Sequence, residues 1–159
     1  MASESEFLKC LEFTLGWECG RNKDGSLKDG YINDPDDLGG ETKYGISKRR
    51  YPDLDIKNLT LAEAIELYRR DFWIEFGAEK AEMPLALCIF DIYVNHSLPT
   101  AKMLLRDGAD WRDVIARRKK FRANRVRFNP TQEKFLKGWL ARDNDLHKFA
   151  TIWENDHDG

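Results

Sequence analysis

Residues 18–46 read ECGRNKDGSLKDGYINDPDDLGGETKYGI. This stretch is polar, rich in Gly and Asp and poor in helix formers, whereas the chain on either side follows a helical period. Turn signals accumulate in it: Asp24-Gly25, Asp29-Gly30, Asp34-Pro35 and Gly39-Gly40. Asp-Gly pairs favour the tight turns of hairpins, and the residue before Pro35 is driven to an extended or turn conformation. The short runs between these signals, Tyr31-Ile32 and Thr42-Lys43-Tyr44, predict a small antiparallel lobe. The stretch also opens on a carboxylate, Glu18, where a helix gives way to loop.

Upstream, residues 4–17 place Phe7, Leu11, Thr14 and Leu15 at helical spacing, with Cys10 and Trp17 beside them. Gly16 and Gly20 weaken helical continuity near the end. Downstream, Gly45 to Tyr51 predicts a short helix stopped before Pro52. Thr60 and Glu63 form a capping-box signature opening a helix through Leu61, Ile65, Leu67, Tyr68, Phe72 and Trp73. Pro84 to His96 is apolar enough to be the central buried helix, and Pro99 to Arg106 predicts a short one stopped at Gly108. Asp110 to Phe128 predicts a basic helix with Trp111, Val114, Ile115, Phe121 and Val126 on its apolar side. Asn129-Pro130 then reads as an N-cap and first-turn proline. The last helix carries Phe135, Leu136, Trp139, Leu140, Leu146, Phe149 and Trp153, with a frayed tail after it. The expected fold is α+β and predominantly α, a helical body with a small N-terminal β-hairpin lobe. With no repeat and no linker, one domain over residues 1–159 is expected, with a catalytic part at 1–80 and a helical part at 81–159.

Charge is uneven. The net formal charge is −2, yet residues 102–142 contain thirteen Lys or Arg against four Asp or Glu. Such a balance suits a polyanionic partner, such as nucleic acid, an anionic wall or an outer-membrane polymer, or a solvated helix face. The three cysteines, Cys10, Cys19 and Cys88, are odd in number and lack metal-site spacing. The loop NKDGSLKD lacks the full pattern of a calcium loop, so no metal is expected. No apolar run reaches the length of a membrane span. The start, MASESEF, lacks a basic n-region and an apolar h-region, so a cytoplasmic location until release is expected.

Cleaving a glycosidic bond takes a carboxylic acid to protonate the leaving oxygen and a second group to stabilise the cationic transition state or place water. Glu18 fits the first role, and burial beside Trp17 would favour its protonated form. Asp34, Asp36 and Asp37 compete for the second role, each with an alternative as a turn cap. Thr42 has a hydroxyl able to hold water. Tyr31 and Tyr44 offer rings for sugar stacking, or serve as hairpin structure. Asn95 and His96, at the end of the buried helix, are either acetamido ligands or helix caps. A thiol nucleophile at Cys19 lacks a histidine partner in the sequence pattern.

The order Glu18, Gly20, then YINDPDDLGGETKYGIS resembles the signature of glycoside hydrolase family 108, lysozyme-like N-acetylmuramidases common among bacteriophage endolysins. That signature runs E-G-G-Y-x-N-[DN]-P-x-D-x-G-G-x-T-x-x-G-I-[ST]. Glu18, Gly20, Tyr31, Asn33, Asp34, Pro35, Asp37, Gly39, Gly40, Thr42, Gly45 and Ile46 match it. The second half resembles the helical segment often paired with it as a predicted peptidoglycan-binding region, through Asp91-x-x-x-Asn95, the Arg-rich stretch Arg117 to Arg125, and Phe135 to Arg142. The resemblance implies a lysozyme-like fold and hydrolysis of the N-acetylmuramic acid to N-acetylglucosamine bond of peptidoglycan. Glu18 would be the general acid, with Asp37 and Thr42 completing the catalytic set; Tyr31, Tyr44 and Asn95 would bind substrate. As hydrolysis the reaction needs no cofactor, and a monomer with no nucleic-acid partner is expected. Three departures stand out: Cys19 replaces a Gly, about ten residues (RNKDGSLKDG) are inserted before Tyr31, and Ser97 stands where the family often has Gly. The inserted residues suit an extended hairpin that leaves both acids in place. The rivals are a lytic transglycosylase, which cuts the same bond without water, and a non-catalytic wall-binding module.

Overall fold

Helix α1 (Glu4–Cys19) buries Phe7, Cys10, Leu11, Thr14 and Leu15, one stripe repeating every three to four residues. The computed structural model describes residues 1–36 and 39–158. Its internal contacts group the chain into two units, Glu4–Glu75 and a second made of Met1–Ser3 with the residues from Phe76 onward.

In the N-terminal unit, α1 continues through Gly16 and stops at Cys19, because Gly20 takes a left-handed φ of 81°. Gly16 serves packing: a Cβ there would stand 2.9 Å from the Arg21 guanidinium. Arg21 donates from Nη2 to the Glu12 carbonyl at 2.9 Å and from Nη1 to the Gly25 carbonyl at 3.0 Å. It thereby fastens the inserted segment to α1. That segment is the expected hairpin, with Arg21 paired antiparallel to Leu27 and the Asn22 N–H bonded to the Ser26 carbonyl at 2.8 Å. Asp24 accepts from the Ser26 N–H and hydroxyl inside its turn.

Strands β1 (Thr42–Lys43) and β2 (Ile46–Ser47) form a second, tighter hairpin, with Thr42 opposite Ser47 and Lys43 opposite Ile46. Ile32 pairs with the other edge of Thr42 through two N–H···O bonds of 2.9 Å. The linking residues, Tyr44 (φ 50°) and Gly45 (φ 73°), are both left-handed. This is the signature of a type I′ turn, whose twist returns the chain as a paired strand. The short helix expected over Gly45 to Tyr51 is therefore not formed: Ile46-Ser47 is β2, turns follow, and Ile56 and Leu59 are buried.

Helix α2 (Leu61–Tyr68) has the expected capping box, with Thr60 and Glu63 each bonding the other's backbone N–H. It passes into a π-helical turn, Arg69–Ile74, rather than continuing as α-helix. The wider turn buries Phe72 and Trp73 together, and Trp73 meets Phe7 of α1 at a ring distance of 5.3 Å.

The C-terminal unit is helical: α3 (Leu85–Asn95), α4 (Leu98–Leu104), α5 (Trp111–Phe128) and α6 (Glu133–His157). Among the described residues, no helix is long and apolar enough to cross a membrane. Asp110 caps α5 by accepting from the Asp113 N–H at 2.9 Å. A short 3₁₀ turn, Pro130–Gln132, precedes α6, so the Asn129-Pro130 signal sits one turn early. The tail continues α6 to His157, whose ring stacks on Trp153 at 4.0 Å, instead of fraying. Helices α5 and α6 run antiparallel, since the Trp111 indole N–H reaches Glu154 at 2.9 Å while Arg122 pairs with Asp143 at 2.7 Å.

The buried stripe of α5 is Trp111, Val114, Ile115, Arg118 and Arg122. Phe121 and Val126, expected on that stripe, are only half-buried. Its arginines meet Asp91 of α3 and Asp143 of α6, both fully buried. Arg142 adds a second ion pair to Asp91, at 2.8 Å. Burial alone would raise the Asp91 carboxyl; the Arg142 and Arg118 guanidiniums overcome it and hold it well below the usual carboxylate range.

Candidate active site and family

Three pieces of the N-terminal unit converge at the end of α1. The first is Glu18 in the last helical turn. The second is the Asp29–Tyr31 segment, which lies against the neighbouring Cys19: a Cβ on Gly30 would be 3.4 Å from the Cys19 Cβ. The third is the Tyr44-Gly45 turn, where a Cβ on Gly45 would stand 3.8 Å from the Glu18 Cβ and would collide with the Tyr68 hydroxyl. Glycine is required there twice over, for its φ and for the approach of helix and phenol.

The turn is pinned on both sides. The Tyr44 N–H donates to the Asp29 carbonyl at 2.6 Å, and the buried Tyr68 hydroxyl donates to the Tyr44 carbonyl at 2.8 Å. A tyrosine at positive φ carries strain of about 1 kcal/mol or more, so these bonds hold Tyr44 where its own backbone preference would not.

Tyr31 and Tyr44, singled out in the sequence as sugar-stacking rings, do come together. Both line an open depression of about 600 Å³ that Lys28, Asp29 and Ile32 also border. The Tyr31 hydroxyl donates to Glu41 at 2.8 Å, which pushes the phenol above its usual range. Thr42 sits in β1 between Ile32 and Ser47, two residues from Tyr44.

Other expectations fare differently. Glu18 is exposed, as is Trp17 at 37%, so the desolvation anticipated from that neighbour is missing. Asp34 accepts from the Asp36 N–H at 2.9 Å, the turn-capping alternative, and both are exposed. Asp37 lies outside the described residues. Asn95 belongs to the C-terminal unit, where its side-chain oxygen accepts from Arg118 at 2.7 Å and Arg122 at 3.1 Å. Burial, then the charges of Glu18 and Asp29, push the Cys19 thiol up to about 11. It is protonated at neutral pH and unsuited to nucleophilic attack.

Asp29 is a carboxylate whose charge, like that of Glu18, reaches Cys19; the sequence pattern hid it, because Asp29-Gly30 looked like turn chemistry alone. Its side chain does make that turn, accepting from the Tyr31 N–H at 3.0 Å. Among the described residues, no group of three or more His, Cys, Asp or Glu is placed to hold a metal ion.

A carboxylate at a helix end, beside a strained aromatic turn and a groove with two tyrosines, is an arrangement suited to acid chemistry on a sugar chain. The family model for glycosyl hydrolase 108 matches residues 11–97, more than half the chain, and the protein belongs to that family of glycosyl hydrolases. The match runs from α1 past the whole hairpin region to Ser97, just beyond α3. Neither the curated proteins nor the solved structures yielded a match.

Proposed function

We propose that this glycosyl hydrolase cuts the β-1,4 bond between N-acetylmuramic acid and N-acetylglucosamine in bacterial peptidoglycan, as an endolysin that lyses the host cell once released from its cytoplasm. The observation that supports this best is the approach of the Glu18 Cβ to the Gly45 turn, whose other residue, Tyr44, lines the groove. Glu18 donates the proton to the leaving oxygen. It is exposed and so open to a bound sugar chain. Tyr31 and Tyr44 carry sugar rings on the groove wall.

The second role, stabilising the cationic transition state or placing water, goes to Asp37 on the family order, with Thr42 holding the water by its hydroxyl. Mass spectrometry of muropeptides released from purified peptidoglycan tests the reaction. Hydrolysis gives products with water added and a muramic reducing end. Products that all end in a 1,6-anhydro ring would replace hydrolysis with transglycosylation, and no soluble muropeptide would refute the substrate.

A further inference from the structure

Among the described buried residues of the C-terminal unit, guanidiniums outnumber carboxylates. Arg118, Arg122 and Arg142 face Asp91 and Asp143, three guanidiniums against two carboxylates. Burial, then the Arg118 charge, pulls Arg122 below its usual value. A depression of about 210 Å³ opens between α3, α5 and α6, with Asn95, His96, Arg122, Arg125 and Trp139 on its walls.

The donors there are arranged, not scattered. Arg122 is 3% exposed and gives Nε and Nη2 to Asp143 and Asn95. Its Nη1 has no acceptor among the described residues, and no described side-chain polar atom is both buried and orphaned. That end of the fork therefore opens on the depression. Arg125 stands at the rim and forms no ion pair among the described residues. Both guanidiniums lie over the Trp139 ring, at 5.8 and 5.7 Å, and Phe135 stacks on that ring at 5.8 Å. His96 accepts the Arg118 Nε–H on Nε2 at 3.0 Å, so its proton sits on Nδ1. Burial, then the Arg118 charge, holds His96 down to about 3, and it adds no charge of its own at neutral pH.

We propose that this depression is a binding site for a carboxylate carried on a unit the size of one amino acid or one monosaccharide. The carboxylate takes the open end of Arg122 and the Arg125 fork, where two guanidiniums match its two oxygens. The carbon frame behind it covers the Trp139 indole, which a bare inorganic anion would leave bare. The volume is below the roughly 300 Å³ at which sites for larger ligands begin, so one residue enters and the rest of its polymer stays outside. The site stands apart from the Glu18 assignment, since binding is read whether or not the protein cleaves anything.

The test is an NMR titration of the full chain at low salt, following the Trp139 indole N–H. The probes are N-acetylalanine, which mimics a peptide end, N-acetylmuramic acid, which has a carboxylate on a sugar, their two neutral amides, and inorganic phosphate. At least one of the two acids should shift the Trp139 signal saturably, its amide should not, and Arg125→Gln should weaken binding at least fivefold with an unchanged unfolding midpoint. Whichever acid binds more tightly identifies the source, and equal binding assigns the site to the shared carboxylate. No shift with either acid, equal binding of the amides, phosphate binding as tightly as the acids, or an Arg125→Gln protein that binds like wild type would each overturn the proposal.

Discussion

The two units handle charge in opposite ways. In the N-terminal unit, Glu18, Asp29, Asp34 and Asp36 are exposed and stand on or beside turns. In the C-terminal unit, Asp91, Asp143, Arg118, Arg122 and Arg142 are buried and interlocked among three helices. An exposed carboxylate costs little to hold and is within reach of a substrate. Asp91, buried, is held in its ionised form by its partners and acts as structure. The contrast teaches that the count of charged residues says less than where their partners lie.

The comparison is most easily broken at Asp91. Replacing it with Ala leaves Arg118 and Arg142 buried without their shared carboxylate, and should cost about 3–5 kcal/mol of stability in a urea titration. A loss no larger than that of an exposed Asp would show the cluster to be dispensable. Next comes Gly45→Ala, which forces a Cβ onto the Tyr68 hydroxyl at a φ of 73° and should cost about 1–3 kcal/mol while also lowering activity, since the turn faces Glu18. Unchanged lysis by that variant would separate the turn from the active site.

A third test sharpens the comparison through pH. His96 is held down to about 3 in the folded protein, by burial first and then the Arg118 charge, against a usual value of 6.5. Between those values the unfolded chain binds a proton that the folded chain does not, so stability falls as pH drops from about 6.5 toward about 3. The slope from one such proton is about 1.4 kcal/mol per pH unit. His96→Gln keeps an acceptor for Arg118 and should flatten this limb of a stability–pH curve; an unaltered slope would remove His96 from the account. The smallest effect is expected at Asp34→Asn, an exposed turn carboxylate, where the unfolding free energy should move by about 0.5 kcal/mol or less. A larger change would mean that the turn caps of the N-terminal unit are structural in the way Asp91 is.

Much of this was legible in the sequence, for reasons tied to particular residues. The stripe Phe7, Leu11, Thr14, Leu15 and the Thr60–Glu63 capping box are local patterns, and local patterns survive folding. The inserted hairpin followed from Asp24-Gly25, and the convergence of Tyr31 with Tyr44 from their places in the lobe. What escaped depends on partners distant in the chain. Arg118 and Arg122 continue the buried face of α5, but as arginines they read as solvent-facing until Asp91 and Asp143 are seen opposite. Ile46-Ser47 read as the start of a helix because nothing local announces that Tyr44, a tyrosine, takes a left-handed conformation. Asp29 was hidden by its own Asp-Gly signal, which explained it completely as a turn residue. The same limit applies to the basic half: Arg118, one of the thirteen Lys and Arg of residues 102–142 that suggested an anionic partner, has no exposed side chain to offer.

Clearing of a peptidoglycan suspension by wild type and Glu18→Gln, at equal concentration, tests the central assignment most directly. The glutamine keeps the size and exposure of the side chain and removes only the proton it donates. The account predicts a rate lower by about 10²-fold or more, the usual worth of a general acid, with an unchanged unfolding midpoint. A folded Glu18→Gln protein that clears the suspension at the wild-type rate would contradict it.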